Sequence, residues 1–214
     1  MGLSALLAAL DEDASEVGQA IALLTAAGVE DPERLSVGEG DRRLLAFCRT
    51  VTRSELDVVA ACAACGELSE AVLSPDAVPS TSPRSAPLGT GGGLREPTYG
   101  DLRALPADPD DGVRELLARC VVGVPTRAPQ PSDLELVDDS LSGPIVISCT
   151  SCGEPIAVDV DVHLAALERL ARHAQEIDQE VHLLARTYHW SLQEIESLGD
   201  ERRRTLASLA AESG

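Results

Sequence analysis

Along the chain, stretches with apolar residues every third or fourth position alternate with shorter stretches where they recur every second position. Residues 4–28 carry the first helical pattern. Asp13-Ala-Ser-Glu16 offers a capping box for a helix running to about Ala27, with Gly28 as its stop. The second runs from Asp41 to about Ala61, with Leu44, Leu45, Cys48, Val51, Leu56 and Val59 as candidate buried positions. Residues 110–122 predict a short helix ending in Cys120-Val-Val. The longest pattern begins at His163 and continues to about Tyr188, where Leu164, Leu167, Leu170, Ile177, Val181 and Leu184 trace one apolar stripe. That stripe is a core face, and also a candidate docking surface for a partner helix.

Two segments read as strands, Gly143-Pro-Ile-Val-Ile-Ser148 and Pro155 to Val162. Ser74 to Pro97 is rich in Pro, Ser and Gly and predicts a flexible insert, and Val124 to Pro131 is a second Pro-rich passage. The Gly91-Gly-Gly93 run lacks the Lys-Ser/Thr and the helix of a phosphate loop. Near the end, Ser191 and Glu194 form a capping box, with Trp190 and Ile195 placed as a hydrophobic staple. A last helix starts at Asp200 and carries Arg202-Arg-Arg204, expected on a solvated face. These elements predict an α+β, mostly helical fold. Residues 1–61 form a helical region, 62–162 a zinc-ribbon region with the insert at 74–97, and 163–214 a C-terminal helical hairpin.

The zinc-ribbon assignment rests on two copies of one motif, Cys62-Ala-Ala-Cys65-Gly66-Glu67 and Cys149-Thr-Ser-Cys152-Gly153-Glu154. Thiolates with two residues between them can reach one ion, and the Gly lets the chain reverse behind the second sulfur. Two such knuckles with short antiparallel strands supply a closed, tetrahedral, structural Zn²⁺ site from Cys62, Cys65, Cys149 and Cys152, one ion per chain. A redox dithiol and a disulfide are the alternatives; each knuckle lies between apolar, strand-like segments, without the βαβ context of a redox motif. Cys48 and Cys120 sit in apolar helical patterns and are expected in the core. The histidines His163, His173, His182 and His189 match no metal-ligand or catalytic spacing, and are read as surface or internally satisfied residues. No catalytic arrangement is recognisable, so the chain is read as non-enzymatic, without a small-molecule substrate.

Composition narrows the partners. There are 36 acids against 17 bases, all Arg, for a net charge of −19. Such acidity repels phosphate backbones and disfavours nucleic acid as a partner, despite the ribbon motif. No segment has the roughly 18 uninterrupted apolar residues of a membrane span. Met1 to Leu10 is apolar but lacks a basic n-region, so the expected location is cytoplasmic, where thiols stay reduced.

Taken together, these motifs resemble a family of small cysteine-knuckle proteins of contractile phage tails and phage-tail-like injection systems, the baseplate or baseplate hub assembly proteins. The resemblance is carried by Asp41-Arg42-Arg43-Leu-Leu, the two C-x-x-C-G-E knuckles, Arg95-Glu-Pro-Thr98…Asp101-Leu102 and Leu116-Leu-Ala-Arg-Cys-Val121. The ending Glu180-Val-His-Leu-Leu-Ala-Arg-Thr-Tyr-His-Trp-Ser191…Glu194-Ile195…Arg202-Arg203 looks most like the family's. It covers most of the chain and is weakest over residues 1–20 and 76–94. The Pro of the family's C-P-x-C knuckle is replaced by Ala63 and Thr150. The resemblance implies a structural component or assembly factor of a baseplate, contacting other baseplate or hub proteins and open to incorporation into a tail-like particle. The alternative class is a zinc-ribbon adaptor or regulatory protein unrelated to tails, and less favoured still is a C-x-x-C thiol redox protein.

Overall fold

The computed structural model describes residues 15–73 and 85–212. Helix α1 (Glu16–Ala26) is capped by Ser15, whose hydroxyl accepts from the Gly18 amide, and ends at Gly28 with φ of 88°. The expected helical start at residues 4–14, including Asp13, lies outside the described residues. After a 3-10 turn at Pro32–Arg34 comes α2 (Val37–Thr52), capped by Ser36. The helix expected over Asp41–Ala61 is thus displaced. Gly38 and Gly40 weaken its start as a helical pattern, and beyond the left-handed Arg53 (φ 58°) the chain becomes strand β1 (Leu56–Ala61). Leu56-Asp-Val-Val-Ala-Ala alternates inward and outward positions, as a half-buried strand does.

Strand β1 pairs antiparallel with β2 (Leu68–Leu73), from Leu56 opposite Leu73 to Ala61 opposite Leu68. A three-stranded sheet follows, ordered β3-β4-β5, from β3 (Ser85–Pro87), β4 (Gly92–Arg95) and β5 (Val121–Gly123). Within the predicted insert, residues 85–97 are therefore packed structure. Leu88 and Leu94 are fully buried with Ala86, Leu117, Cys120 and Val137 in a satellite core. The glycines there fit close approach: a Cβ on Gly92 would meet the Pro125 backbone at 2.5 Å. Helices α3 (Tyr99–Arg103), α4 (Pro109–Cys120) and α5 (Pro131–Glu135) complete this part, and α4 gives way to β5 at Val121.

One device occurs twice here. In Arg95-Glu-Pro-Thr98-Tyr-Gly-Asp101 and Arg127-Ala-Pro-Gln130-Pro-Ser-Asp133, the Arg forks onto the Asp six residues on. The N–O distances are 2.7 and 3.0 Å in the first and 2.6 Å twice in the second. The same Asp accepts from the backbone amide ahead of its helix, at Thr98 (2.9 Å) and Gln130 (2.7 Å). A bidentate ion pair and a helix-start bond thus share one carboxylate.

Strands β6 (Gly143–Ser148) and β7 (Pro155–Val160) form the second hairpin, as the alternation predicts. Helix α6 (Val162–Tyr188) follows, then α7 (Leu192–Glu196) and α8 (Asp200–Glu212), which packs back along α6. The capping box at Ser191 and Glu194 is present, and Trp190 packs with Ile195, Leu184 and Ala207. The main core joins α1, α2, β1 and the first half of α6 through Leu23, Leu24, Leu44, Leu45, Val162 and Leu170. Of the predicted stripe, Leu170 and Leu184 are buried, whereas Leu164 is exposed.

At the centre of that core lies a carboxylate. Asp41 is fully buried and accepts from the Leu141 amide (2.8 Å) and the Tyr99 hydroxyl (3.1 Å), with His163 Nε2 at 3.0 Å. It joins α2, α3, the start of α6 and the loop before β6. Tyr99 packs against Gly40, where a Cβ would clash with the ring. Burial, and then the Asp41 charge, push the Tyr99 hydroxyl far up from its ordinary pKa, so it remains a proton donor to Asp41.

Asp41→Ala leaves the Leu141 amide and the Tyr99 hydroxyl without this acceptor. It should cost about 3 kcal/mol or more, and Tyr99→Phe about 1 kcal/mol, in urea unfolding monitored by far-UV circular dichroism. The Arg127 guanidinium holds Asp133 down at about 2, against an ordinary 3.8. A depressed carboxyl stabilises the fold above its unfolded pKa and loses that contribution as pH falls through its folded one. Stability should therefore fall between about pH 4 and pH 2, and Asp133→Asn should flatten that limb of the stability–pH curve.

Candidate metal centre

Each knuckle is the turn of a hairpin. Cys62–Glu67 connects Ala61 to its partner Leu68, and Cys149–Glu154 connects Ser148 to its partner Pro155. The two turns repeat one set of hydrogen bonds. Cys62 N donates to Glu67 O (2.8 Å) and Gly66 N to Cys62 O (2.8 Å); Cys149 N donates to Glu154 O (2.9 Å) and Gly153 N to Cys149 O (3.0 Å). Gly66 and Gly153 both have φ of 77°, and a Cβ on either would meet nothing within 4 Å. These glycines answer to backbone conformation, not to space.

The hairpins bring the turns together. Cys62, Cys65, Cys149 and Cys152 place their sulfurs within 4.8 Å of one another. Sulfurs from opposite knuckles lie 3.7 Å apart for Cys62 and Cys152 and 3.6 Å for Cys65 and Cys149. A tetrahedral thiolate centre with metal–sulfur bonds of about 2.3 Å has sulfur–sulfur edges of about 3.8 Å. The four sulfurs thus fit around one metal ion within a single chain, the arrangement predicted for these residues. Cys62 and Cys149 are buried over Ile156, Ala60, Ile147 and Val158, while Cys65 and Cys152 face solvent. Cys48 and Cys120 stand apart in the cores, and burial pushes their thiols up to about 12 and about 11.

The electrostatics favour a cation. Backbone amides of Cys152 and Ser151 directed at Cys149 bring its thiol down to about 6. The Glu67 amide works the same way on Cys65, but the neighbouring Cys152 and Cys149 thiols outweigh it and push Cys65 up to about 12. Cys149 ionises readily and Cys65 and Cys152 then resist, because like charges crowd one small volume. A divalent cation at the centre removes that resistance and lets all four bind as thiolates.

A further clamp joins the hairpins, and the sequence reading missed it. Ser69 is buried at an inward position of β2, and its hydroxyl accepts from the Thr150 amide (3.1 Å) in the opposite knuckle. The inward alternation of β2 is the signal that could have found it. The Asp41–Tyr99–His163 cluster was also not anticipated, although His163 is internally satisfied as expected; His182 and His189 are exposed. Of the Arg triplet, Arg203 departs from the expected solvated face. It is buried and pairs with Glu180 (2.8 Å) and Asp200 (3.1 Å). Its spacing from the buried Ala207 and Ala210 on α8 carried that information. Among the described residues, no helix is long and apolar enough to cross a membrane.

No family model, curated protein or solved structure matches this chain.

Cys149→Ser should abolish metal binding and loosen both hairpins, since one of four ligands is gone. Cys120→Ser should leave metal content unchanged and cost about 1–3 kcal/mol as a buried polar group. Metal analysis of the two purified variants, alongside thermal melts, separates the outcomes. One ion per chain retained in Cys149→Ser would refute the four-cysteine centre.

Proposed function

We propose that this protein is a non-enzymatic structural component or assembly factor of a contractile, phage-tail-like baseplate, stabilised by one structural Zn²⁺. The observation that carries the structural role is the convergence of four sulfurs from two distant turns. Four thiolates close the coordination shell and leave no position for substrate or water, so the ion's contribution is to folding. Zinc suits a compact tetrahedral set of four sulfurs, and binding worth on the order of 10 kcal/mol offsets the ordering of two otherwise marginal hairpins. The assignment to baseplates rests on the resemblance in motif order, not on the geometry. The acidic surface supports protein partners over nucleic acid.

Contact with other baseplate or hub proteins is assigned to the C-terminal corner. There Tyr188 and Trp190 stack at 4.9 Å beside the exposed Leu192. Aromatic side chains at such corners are frequent binding anchors, and this chain has few of them. Deleting residues 163–214 would remove Ala166 and Leu170 from the main core together with the C-terminal cluster around Leu184 and Ile195, so point variants are the sound test. Co-purification with the proteins encoded beside it should be strong for the wild type and at least ten-fold weaker for Tyr188→Ser with Leu192→Ser. Native mass spectrometry should find one zinc per monomer. Binding unchanged in the double variant, or neighbouring genes with no tail sheath or tube, would overturn the baseplate reading. Iron in place of zinc would revise the cofactor alone.

A further inference from the structure

The two knuckled hairpins carry a charge pattern that neither the core nor the metal centre requires. Residues 55–73 contain Glu55, Asp57, Glu67 and Glu70 but no basic residue. Residues 143–161 contain Glu154, Asp159 and Asp161, again with no base. Four thiolates around a divalent cation add two further negative charges between them.

On β1 and β2 this acidity is combined with exposed apolar side chains. The register sets Asp57 opposite Val72, Val59 opposite Glu70 and Ala61 opposite Leu68, all six on the outward face. Val59, Leu68 and Val72 are 58%, 63% and 55% exposed. Three large aliphatic side chains left in water on one face of a six-residue strand pair form a patch of the kind that marks an interface. The inner face is already committed to the metal centre and the core, so the clamp holds the outer face rigid and ready for contact.

The charge identifies the occupant. A second copy brings the same acids and a net charge of −19, and repels. Nucleic acid and anionic lipid are repelled likewise. We propose that the outward face of β1–β2 docks a protein partner through a segment that alternates basic and aliphatic side chains. Its Arg or Lys residues face Asp57 and Glu70, and its aliphatic residues cover Val59, Leu68 and Val72. Electrostatic attraction speeds the encounter and sets the register, while the valines hold the complex once formed. This surface is distinct from the C-terminal corner and independent of the baseplate assignment.

The test titrates the ¹⁵N-labelled, zinc-loaded full chain with a decapeptide alternating Val and Arg, and with a control alternating Ser and Arg at equal charge. Amide shifts should concentrate on residues 56–73, with affinity falling as salt rises. The Ser/Arg control should bind at least ten-fold more weakly. Val59→Ser with Val72→Ser, and Asp57→Asn with Glu70→Gln, should each weaken binding of the Val/Arg peptide by a similar factor. Equal binding of both peptides, shifts centred on α6–α8, or no shift at millimolar peptide would overturn the proposal. So would a dimer in light scattering whose formation moves the same amides. A stability loss in Val59→Ser with Val72→Ser as large as that of buried valines would show the face already covered by the chain itself, and would also overturn it. Zinc content measured on the same samples reports failure of the metal centre separately.

Discussion

Four sulfurs held within bonding distance of one point constrain this molecule more than any other contact. Cys65 and Cys149 are 84 residues apart, yet their sulfurs approach to 3.6 Å. Everything between them, including the satellite core and its three-stranded sheet, is a loop closed by that contact. Closure cost grows only with the logarithm of loop length, so a long insertion between the knuckles is tolerated. The hairpins themselves are weak: each has two strands, and among the described residues the shared cluster beneath the sulfurs has only Cys62, Cys149 and Ile156 buried. Without a cation only one of the clustered thiols ionises readily, and a second thiolate beside Cys149 is opposed by like charge.

The rest of the molecule is arranged so that this closure is geometrically possible. Strand β1 continues from α2 across the left-handed Arg53, and β7 runs directly into α6 through the Asp161 cap. Helices α2 and α6 pack together in the main core, and Asp41 on α2 binds both the first turn of α6 and the loop entering β6. The hairpins are therefore levers whose bases are fixed by the core and whose tips meet at the sulfurs. A buried carboxylate is costly unless satisfied, and here the Leu141 amide and the Tyr99 hydroxyl donate to it with His163 Nε2 at 3.0 Å, so position and stability are supplied by the same group.

Much of the candidate site was legible in the sequence, because its signal is local. Two thiols at fixed spacing, followed by Gly-Glu, specify a turn almost without context, and the structure places the four cysteines as that spacing predicts. The second hairpin and the long C-terminal helix were legible for the same reason, through clean alternation and a clean apolar stripe. What escaped depends on context. Val37-Gly-Glu-Gly is a poor helix start in isolation, yet Ser36 caps it and Glu96 binds the Gly38 amide from 58 residues away. Leu56–Ala61 fits either periodicity over so short a run, and only its pairing with β2 decides for strand. Ser85 to Pro97 has the composition of a linker, but its glycines permit strands and turns that lie too close for side chains. The repeated Arg–Asp device was in plain view as R-x-P-x-x-x-D, and its meaning emerges only once both copies prove to fork onto the carboxylate.

The acidity and the closed metal centre bear on each other. A centre with an open coordination position in so negative a setting would attract cations and repel the anionic substrates that metal hydrolases commonly take. A closed four-thiolate centre, the one proposed here, would be indifferent to that field, because a metal held by four thiolates has no open position for substrate. A net charge of −19 disfavours phosphate backbones and favours partners of opposite charge, which is the basis of the docking proposed for β1–β2. The two exposed cysteines lie at the hairpin tips beside this surface.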